Sequence, residues 1–88
     1  MTVMTISGVI GADATIREVN GKQYFFMPVA HNNGRESTIW VQVMIPAFGQ
    51  DSSKFLQGNR IMVYGKPLFR AWEEKVQVTL WSERYEVQ

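Results

Sequence analysis

The sequence of 88 residues contains no cysteine, only one histidine and no long apolar run. Without cysteine the chain forms neither disulfides nor thiolate-based zinc sites, which is compatible with the reducing cytoplasm where we expect it to act. No apolar stretch approaches the length needed to cross a membrane, and the first residues form no basic, cleavable leader. We therefore expect neither a membrane partner nor export.

Excess charge of one sign is also lacking. Nine lysines and arginines stand against eight aspartates and glutamates, so the formal net charge is only +1. The electrostatic footprint of a strongly basic nucleic-acid binder is therefore absent. If nucleic acid is the partner, aromatic stacking must supply an unusual share of the affinity, and three of the residues are tryptophans.

No constellation of catalytic or metal-binding residues stands out. His31 has no second histidine or cysteine to complete a metal site, and we interpret it as a solvated residue of a polar loop. Glu73 and Glu74 lie at an expected hairpin tip, where adjacent carboxylates are usually solvated. Ser52 and Ser53 lack the glycine-flanked elbow of a serine nucleophile. We therefore expect no cofactor and no enzymatic activity, but a binding surface.

The sequence does contain alternating strands separated by turn signals. Five segments alternate in this way: residues 3–10, 22–30, 38–45, 60–66 and 75–87. Thr15–Val19 continues the first strand or forms a second piece of it, and Gly8 predicts a bulge or bend. Asn20-Gly21 predicts a type I′ hairpin. Pro28 cannot donate a ladder hydrogen bond, so we expect it at an edge or a bulge.

One segment, residues 47–57, predicts a short helix. Asp51 or one of the two serines after it could cap its start, and Gly58 could end it. The resulting order is strand, strand, strand, short helix, strand, strand. In a single domain spanning 1–88, this order predicts an all-β fold: a five-stranded Greek-key barrel of the oligonucleotide/oligosaccharide-binding (OB) type.

The third strand places a tryptophan outside the expected barrel. Four of its residues share the predicted inward face: Ile39, Val41, Val43 and Ile45. Trp40 falls on the outward face, because successive side chains of a strand point to opposite sides. The other outward aromatics are Tyr24, Phe26 and Trp72, and the accompanying cations include Lys22, Arg35, Lys66 and Arg70. Aromatic rings interleaved with cations suit single-stranded nucleic acid, where each stacked base is worth about 1–3 kcal/mol.

The same aromatics have other interpretations. Trp40, Tyr24 and Phe26 could instead fill an interface between subunits, where aromatic residues are enriched. We expect packing or oligomerisation from Trp81, and core or helix packing from Phe48 and Phe55.

Five stretches carry a family resemblance. They are ISGVIGADATIRE, QYFFMPVAHNN, STIWVQVMI, KFLQGNRIMVYGKPLFRAW and VQVTLWSERYEVQ. In order and spacing they resemble the barrel strands of the bacterial single-stranded DNA-binding protein family. The resemblance implies an OB barrel that coats single-stranded DNA as a dimer or tetramer. By position, it implies that Trp40 and Trp72 stack on bases and that Arg70 lies beside the DNA path.

The chain departs from that family at four places, one of which is the fourth strand, where Met62 and Tyr64 replace the usual pattern of tyrosine or charged residues. That family often has a further tryptophan after the second strand, where this chain has Asn32-Asn33. Its third strand usually runs directly into an aromatic-glycine pair, whereas here Pro46-Ala47 come before Phe48-Gly49. The family's acidic C-terminal tip, which recruits enzymes, is not found before Gln88. A tail-less barrel is similar to the primosomal replication protein relatives.

These observations lead to a first hypothesis and two alternatives. The first is non-catalytic binding of single-stranded DNA, with little sequence preference, in replication, repair or recombination. The second is an OB-fold module for protein interaction or assembly, as in a primosome. The third is RNA binding, because stacking alone does not distinguish the two sugars.

Overall fold

The structure is a computed structural model that describes residues 2–32, 38–48, 51–72 and 75–88, with only the backbone described at 72 and 75. Six strands make up the fold: β1 (Met4–Ile10), β2 (Thr15–Val19), β3 (Lys22–Asn32), β4 (Thr38–Pro46), β5 (Arg60–Trp72) and β6 (Lys75–Val87). They follow from the alternation of apolar residues with other side chains, which suits a sheet with one buried face.

Five of the strands close into a ring. The sheet runs β1-β5-β6-β4-β3, and β1 also pairs with β3 through Ile10 and Val29. The β4–β6 pairing is parallel and the other pairings are antiparallel. This closed Greek-key ring confirms the predicted all-β class and OB-type barrel. β2 is a separate sixth strand that pairs with the first half of β3, whereas β1 meets the second half.

The inward faces of the strands form one apolar core. Its fully buried members include Ile10, Met27, Val29, Val43, Ile61, Val63 and Leu80. Phe55 lies among them, with its ring 5.3 Å from that of Phe25 and 5.4 Å from that of Tyr85, as its predicted packing role requires. The same prediction is wrong for Phe48, whose side chain is 97% exposed.

The predicted helix at residues 47–57 is wrong. Of the described residues in this segment, only Ser52–Lys54 are helical, as a single turn of 3-10 helix. The flanking backbone groups are engaged elsewhere: the Phe55 carbonyl accepts a hydrogen bond from Ala14 N at 2.9 Å, and Gln57 N donates to an aspartate side chain between β1 and β2 at 2.7 Å. Because these long-range bonds use groups that a longer helix would need, the helix cannot propagate.

Gly8 does not form the predicted bulge, since the β1–β5 register continues through it without a shift. Its backbone instead passes so close to the Ala30 carbonyl that a Cβ atom would overlap the carbonyl oxygen. Glycine is therefore required where β1 closes onto β3. The register shift lies at Tyr64/Gly65, opposite β6.

The turn prediction agrees with the structure, whereas Pro28 lies in the interior strand β3 with no register shift, and not at a sheet edge or a bulge. Asn20 and Gly21 both have positive φ, 52° and 79°, as a type I′ hairpin requires. The Pro28 carbonyl accepts a hydrogen bond from Gly11 N at 2.8 Å, on the side of β3 away from β4. Because the N and O of one strand residue point to the same side, Pro28 N faces the gap between β1 and β2, where no ladder donor is needed.

Two predictions at the β3 and β4 ends fail. His31 belongs to β3, not to a loop, and its Nδ1 lies 2.8 Å from the Ser7 carbonyl oxygen of β1. Ile39, predicted to be inward, is 41% exposed. The pairing of β4 with β6 begins only at Val41, so Ile39 lies beyond the closed part of the ring.

Candidate nucleic-acid interface

The outward side of the barrel carries a groove of about 480 Å³ that crosses five neighbouring strands. In spatial order these strands are β2, β3, β4, β6 and β5. The groove is lined by Arg17, Val19, Phe26, Gln42, Met44, Leu68, Arg70, Gln77, Thr79 and Trp81. Every strand of this half of the sheet therefore contributes, and a chain-like ligand could cross it.

Strand register brings the groove residues into rows. Phe26 pairs with Met44, Met44 with Trp81, and Trp81 with Lys66, so one row crosses four strands. Met44 occupies the middle of this row and is buried, although it points away from the core. The row provides a largely apolar floor bounded by aromatic rings, which suits the flat face of a nucleobase.

The groove is positive at both ends. Arg17 of β2 and Arg70 of β5 line it, and no carboxylate of the described residues does. Arg17 lies over the Phe26 ring, with Cζ 3.9 Å from the ring centroid. Lys66 is at one border, and its Nζ is 3.6 Å from Glu83 Oε1. That ion pair is half exposed, so it leaves Lys66 able to exchange its partner for a phosphate.

A second cavity, of about 800 Å³, lies at the end of the sheet where β3 begins and β4 ends. Lys22, Tyr24 and the exposed Phe48 line it. The Tyr24 ring packs edge-on against Trp81, with ring centroids 5.1 Å apart. Because Trp81 lines the groove, this aromatic pair joins the groove to the end cavity.

Trp40 lies at the opposite end of the outward face. It pairs with Ala30 across the β3–β4 ladder and is 58% exposed, two residues along β4 from the groove residue Gln42. Its ring lies over Gly11, which follows β1. The tryptophan thus points outward, as the alternation predicted, on the same side of the sheet as the groove.

The structure brings most of the predicted residues onto one surface. Phe26 and Arg70 line the groove, Lys66 borders it, and Trp40 lies beyond it. Tyr24 and Lys22 line the end cavity. Arg35 and the side chain of Trp72 lie outside the described residues.

Among the aromatic and charged residues of the groove, sequence reasoning missed two, Arg17 and Trp81. A signal for Arg17 was available: the two-residue turn after Val19 sets it opposite Tyr24, on the outward face. Trp81 was assigned to packing or oligomerisation. Its place in the groove depends on the parallel pairing with Met44, which alternation alone does not reveal.

Within the described residues, no three histidine, aspartate or glutamate side chains are placed to hold a metal ion together. No helix in the same part of the chain is long and apolar enough to span a membrane.

Comparisons with known proteins give structural relatives without sequence relatives. No protein-family model matches the chain, and no curated protein matches it in sequence.

Three solved structures illustrate the structural likeness. A mitochondrial single-stranded DNA-binding protein from S. cerevisiae has a TM-score of 0.78 at 18% identity, covering 98% of this chain and 94% of that one. The second single-stranded DNA-binding protein of Mycobacterium smegmatis has a TM-score of 0.71 at 20% identity, with coverage of 97% and 86%. The dimeric N-terminal domain of PriB from Thermoanaerobacter tencongensis has a TM-score of 0.71 at 17% identity, with coverage of 98% and 94%.

At these identities the likeness establishes the fold. These structures are of single-stranded DNA-binding proteins and of PriB, the two groups that the sequence resemblance indicated. The chain therefore has the OB-type barrel of those proteins over nearly its whole length.

Proposed function

We propose that this protein binds single-stranded DNA on the outward face of its barrel, without catalysing a reaction. The observation that carries the proposal is the groove across β2, β3, β4, β6 and β5. It combines aromatic rings with an arginine at each end and, in the part of the chain that the structure describes, has no carboxylate in its lining. The likeness of the chain to solved single-stranded DNA-binding proteins supports the same proposal.

In the proposed mechanism, extended DNA runs along this face and its bases stack on exposed rings. Trp40 supplies an exposed ring, and the half-buried Tyr24 supplies one toward the end cavity. The half-buried Phe26 contributes from beneath the Arg17 guanidinium that lies over its ring. Arg70 and Lys66 neutralise phosphates along the β5 border. Because any base has a flat π-face, stacking of this kind gives little sequence preference.

Three further residues are assigned to the proposed site for other reasons. Lys22 lines the end cavity and is exposed, so it can reach a phosphate there. Trp72 follows Arg70 by two residues on β5, and the sequence resemblance implies a stacking role for it. Arg35 is proposed from the sequence pattern of cations beside aromatic residues.

We also propose the setting of this activity. Single-stranded DNA is exposed during replication, repair and recombination, and the protein would coat it there, in the cytoplasm, as a homo-oligomer. One of the structures similar to this chain is described as dimeric, which supports a dimer as the smallest assembly.

Fluorescence titration with oligo-dT tests the proposal. Binding should quench tryptophan emission saturably at micromolar protein in low salt, because bases stack on indole rings. Oligo-dA should compete with similar affinity if sequence preference is weak, and oligo-U should compete more weakly if DNA is the preferred partner. Emission that does not change at any oligo-dT concentration would refute the proposed function.

A second candidate function, an assembly module, is favoured by apolar residues at the far end of the β5–β6 hairpin. Phe69 and Val76 are 58% and 69% exposed although they share the inward face with Leu80. They can bury against another protein surface. Replacing both by serine should lower the oligomer size in light scattering if the hairpin serves assembly, while oligo-dT binding per protomer stays measurable.

A further inference from the structure

The contact between Arg17 and Phe26 has a geometry that suits a stacking role as well as an electrostatic one. Thr15 is the residue directly opposite Phe26 in the β2–β3 ladder, and Arg17 is opposite Tyr24. The guanidinium therefore reaches diagonally across the ladder to lie over the Phe26 ring, with Cζ 3.9 Å from the centroid. At that distance the guanidinium is held against the aromatic face.

The stacked guanidinium keeps its other face and its edges available. Arg17 is exposed, and the ion pair found among the described residues joins Lys66 to Glu83 and does not involve Arg17. A guanidinium is planar, and its N–H donors lie in that plane. Stacking on Phe26 uses one face, so the outer face can receive a base while the edges can donate to a phosphate.

The position of the pair places it inside the proposed DNA path. Both Arg17 and Phe26 line the groove, and Arg70 lines its other end, on β5. Four strand spacings separate β2 from β5, about 19 Å in all at about 4.8 Å each. The two arginines therefore lie on strands at opposite ends of the groove, and we expect their contributions to affinity to be largely independent.

We propose that the Arg17 guanidinium, supported by Phe26, is a base-stacking platform at the β2 end of the groove. The base would lie on the outer face of the guanidinium, forming a three-layer stack of phenyl ring, guanidinium and base. This inference rests on the proposed function and adds to it a residue, a contact geometry and a reason why the ring beneath is needed.

An abasic strand separates base stacking from phosphate contact. Affinities for oligo-dT and for an abasic oligonucleotide of equal length are measured with the wild type and with Arg17→Lys. Lysine keeps the charge but has no planar face. We expect the variant to lose at least about fivefold in affinity for oligo-dT and less than twofold for the abasic strand.

Two variants complete the experiment. Phe26→Leu should reproduce the selective loss for oligo-dT, because the guanidinium loses its supporting ring. Arg84→Lys is the matched control, since Arg84 lines a different cleft with Met62 and Tyr64, and it should change neither affinity. Melting temperatures of all variants establish that the barrel remains folded.

The outcomes are distinguishable. Equal losses for both strands in Arg17→Lys would mean a phosphate contact alone and would overturn the inference. Unchanged affinities would overturn it as well, leaving a contact that serves only the β2–β3 hairpin. In both cases the wild type still binds oligo-dT and the proposed function stands. If the wild type binds neither strand, the proposed function itself fails.

Discussion

The indole of Trp40 lies across the backbone of Gly11. A Cβ atom built on Gly11 would be 2.5 Å from Cζ3 and 2.9 Å from Cη2 of that ring. Gly11 N donates a hydrogen bond to the Pro28 carbonyl at 2.8 Å, so the backbone beneath the ring is tied to β3. Glycine at this position therefore determines where the exposed tryptophan rests on the outward face.

Gly11→Ala should displace the Trp40 ring and weaken DNA binding without unfolding the barrel. The atoms that a methyl group would meet are at the far end of a side chain, which can rotate away. Trp40→Ala should weaken oligo-dT binding by about 5- to 150-fold, the equivalent of about 1–3 kcal/mol for one stacked base. Gly11→Ala alone should cost at least about threefold.

A double-mutant cycle checks this relationship. In the Trp40→Ala background, Gly11→Ala should have no further effect on affinity, because the ring it displaces is gone. Independent, additive losses would show that Gly11 acts by another route. Light scattering should give the same oligomer for all four proteins, since the assembly interpretation of Trp40 predicts a change there.

Gly65→Ala should destabilise the fold strongly. A Cβ atom on Gly65 would overlap the backbone carbonyl of Trp81, and the ladder between β5 and β6 holds that backbone in place. We expect a loss of about 3 kcal/mol in the free energy of unfolding, measured by urea denaturation. Gly21→Ala is the control: nothing lies within 4 Å of its added Cβ, so only its φ of +79° costs energy, about 1 kcal/mol. Equal losses would contradict the close approach at Gly65.

Arg70→Ala should make oligo-dT binding less dependent on salt. Each phosphate that a cation neutralises on a single strand contributes about −0.7 to the slope of log affinity against log salt. Arg70 lines the groove, so its removal should reduce the slope by about that amount, measured by titrations between low and moderate salt. Arg84→Ala should leave the slope unchanged. A slope that is the same in Arg70→Ala and the wild type would exclude Arg70 from phosphate contact.

Asp51 should contribute to stability at neutral pH and lose that contribution in acid. Its carboxylate accepts a hydrogen bond from Ser53 N at 3.0 Å, and this bond, aided by the Ser53 hydroxyl and the charge of Lys54, lowers the pKa of Asp51. Because this pKa is lowered in the folded state, the carboxylate stabilises the fold at pH values above the ordinary aspartate pKa. The stabilisation is lost as the pH falls through the lowered pKa. The relevant window therefore lies below about pH 4.

Melting temperatures of Asp51→Ala and the wild type measure this contribution. The variant should melt lower at pH 7, and the difference should shrink as the pH falls toward about 2. Asp51→Asn keeps an acceptor without a titrating charge, so its melting temperature should lie between the two at pH 7. A difference between Asp51→Ala and the wild type that stays constant across this range would contradict the assigned hydrogen bond.

Alternation predicted the barrel because a closed sheet with one buried face imposes a period of two on each strand. It therefore placed Phe25, Val43 and Ile61 inward and Trp40 outward. The Asn20-Gly21 turn was equally readable, since few residues tolerate two successive positive φ angles. These features depend on local backbone chemistry, which the sequence contains.

The predictions were wrong where contacts between residues distant in the sequence determine the local structure. Phe48 has the composition of a core residue, yet β4 has already ended at Pro46 and the chain leaves the barrel there. The predicted helix was cut short by hydrogen bonds to residues of the β1–β2 connection, more than 40 positions away. Trp81 reached the groove through a parallel pairing between β4 and β6. None of these partners is adjacent in the sequence, so periodicity could not identify them.

Chemical-shift mapping tests the central claim that single-stranded DNA lies in the outward groove. Oligo-dT is added to uniformly ¹⁵N-labelled protein, and the amide shifts of both faces of the barrel are followed. The account predicts shifts concentrated at Arg17, Phe26, Gln42, Arg70 and Thr79, with little change at Met62, Tyr64 and Arg84. Shifts confined to the latter three residues, or none at saturating DNA, would contradict it.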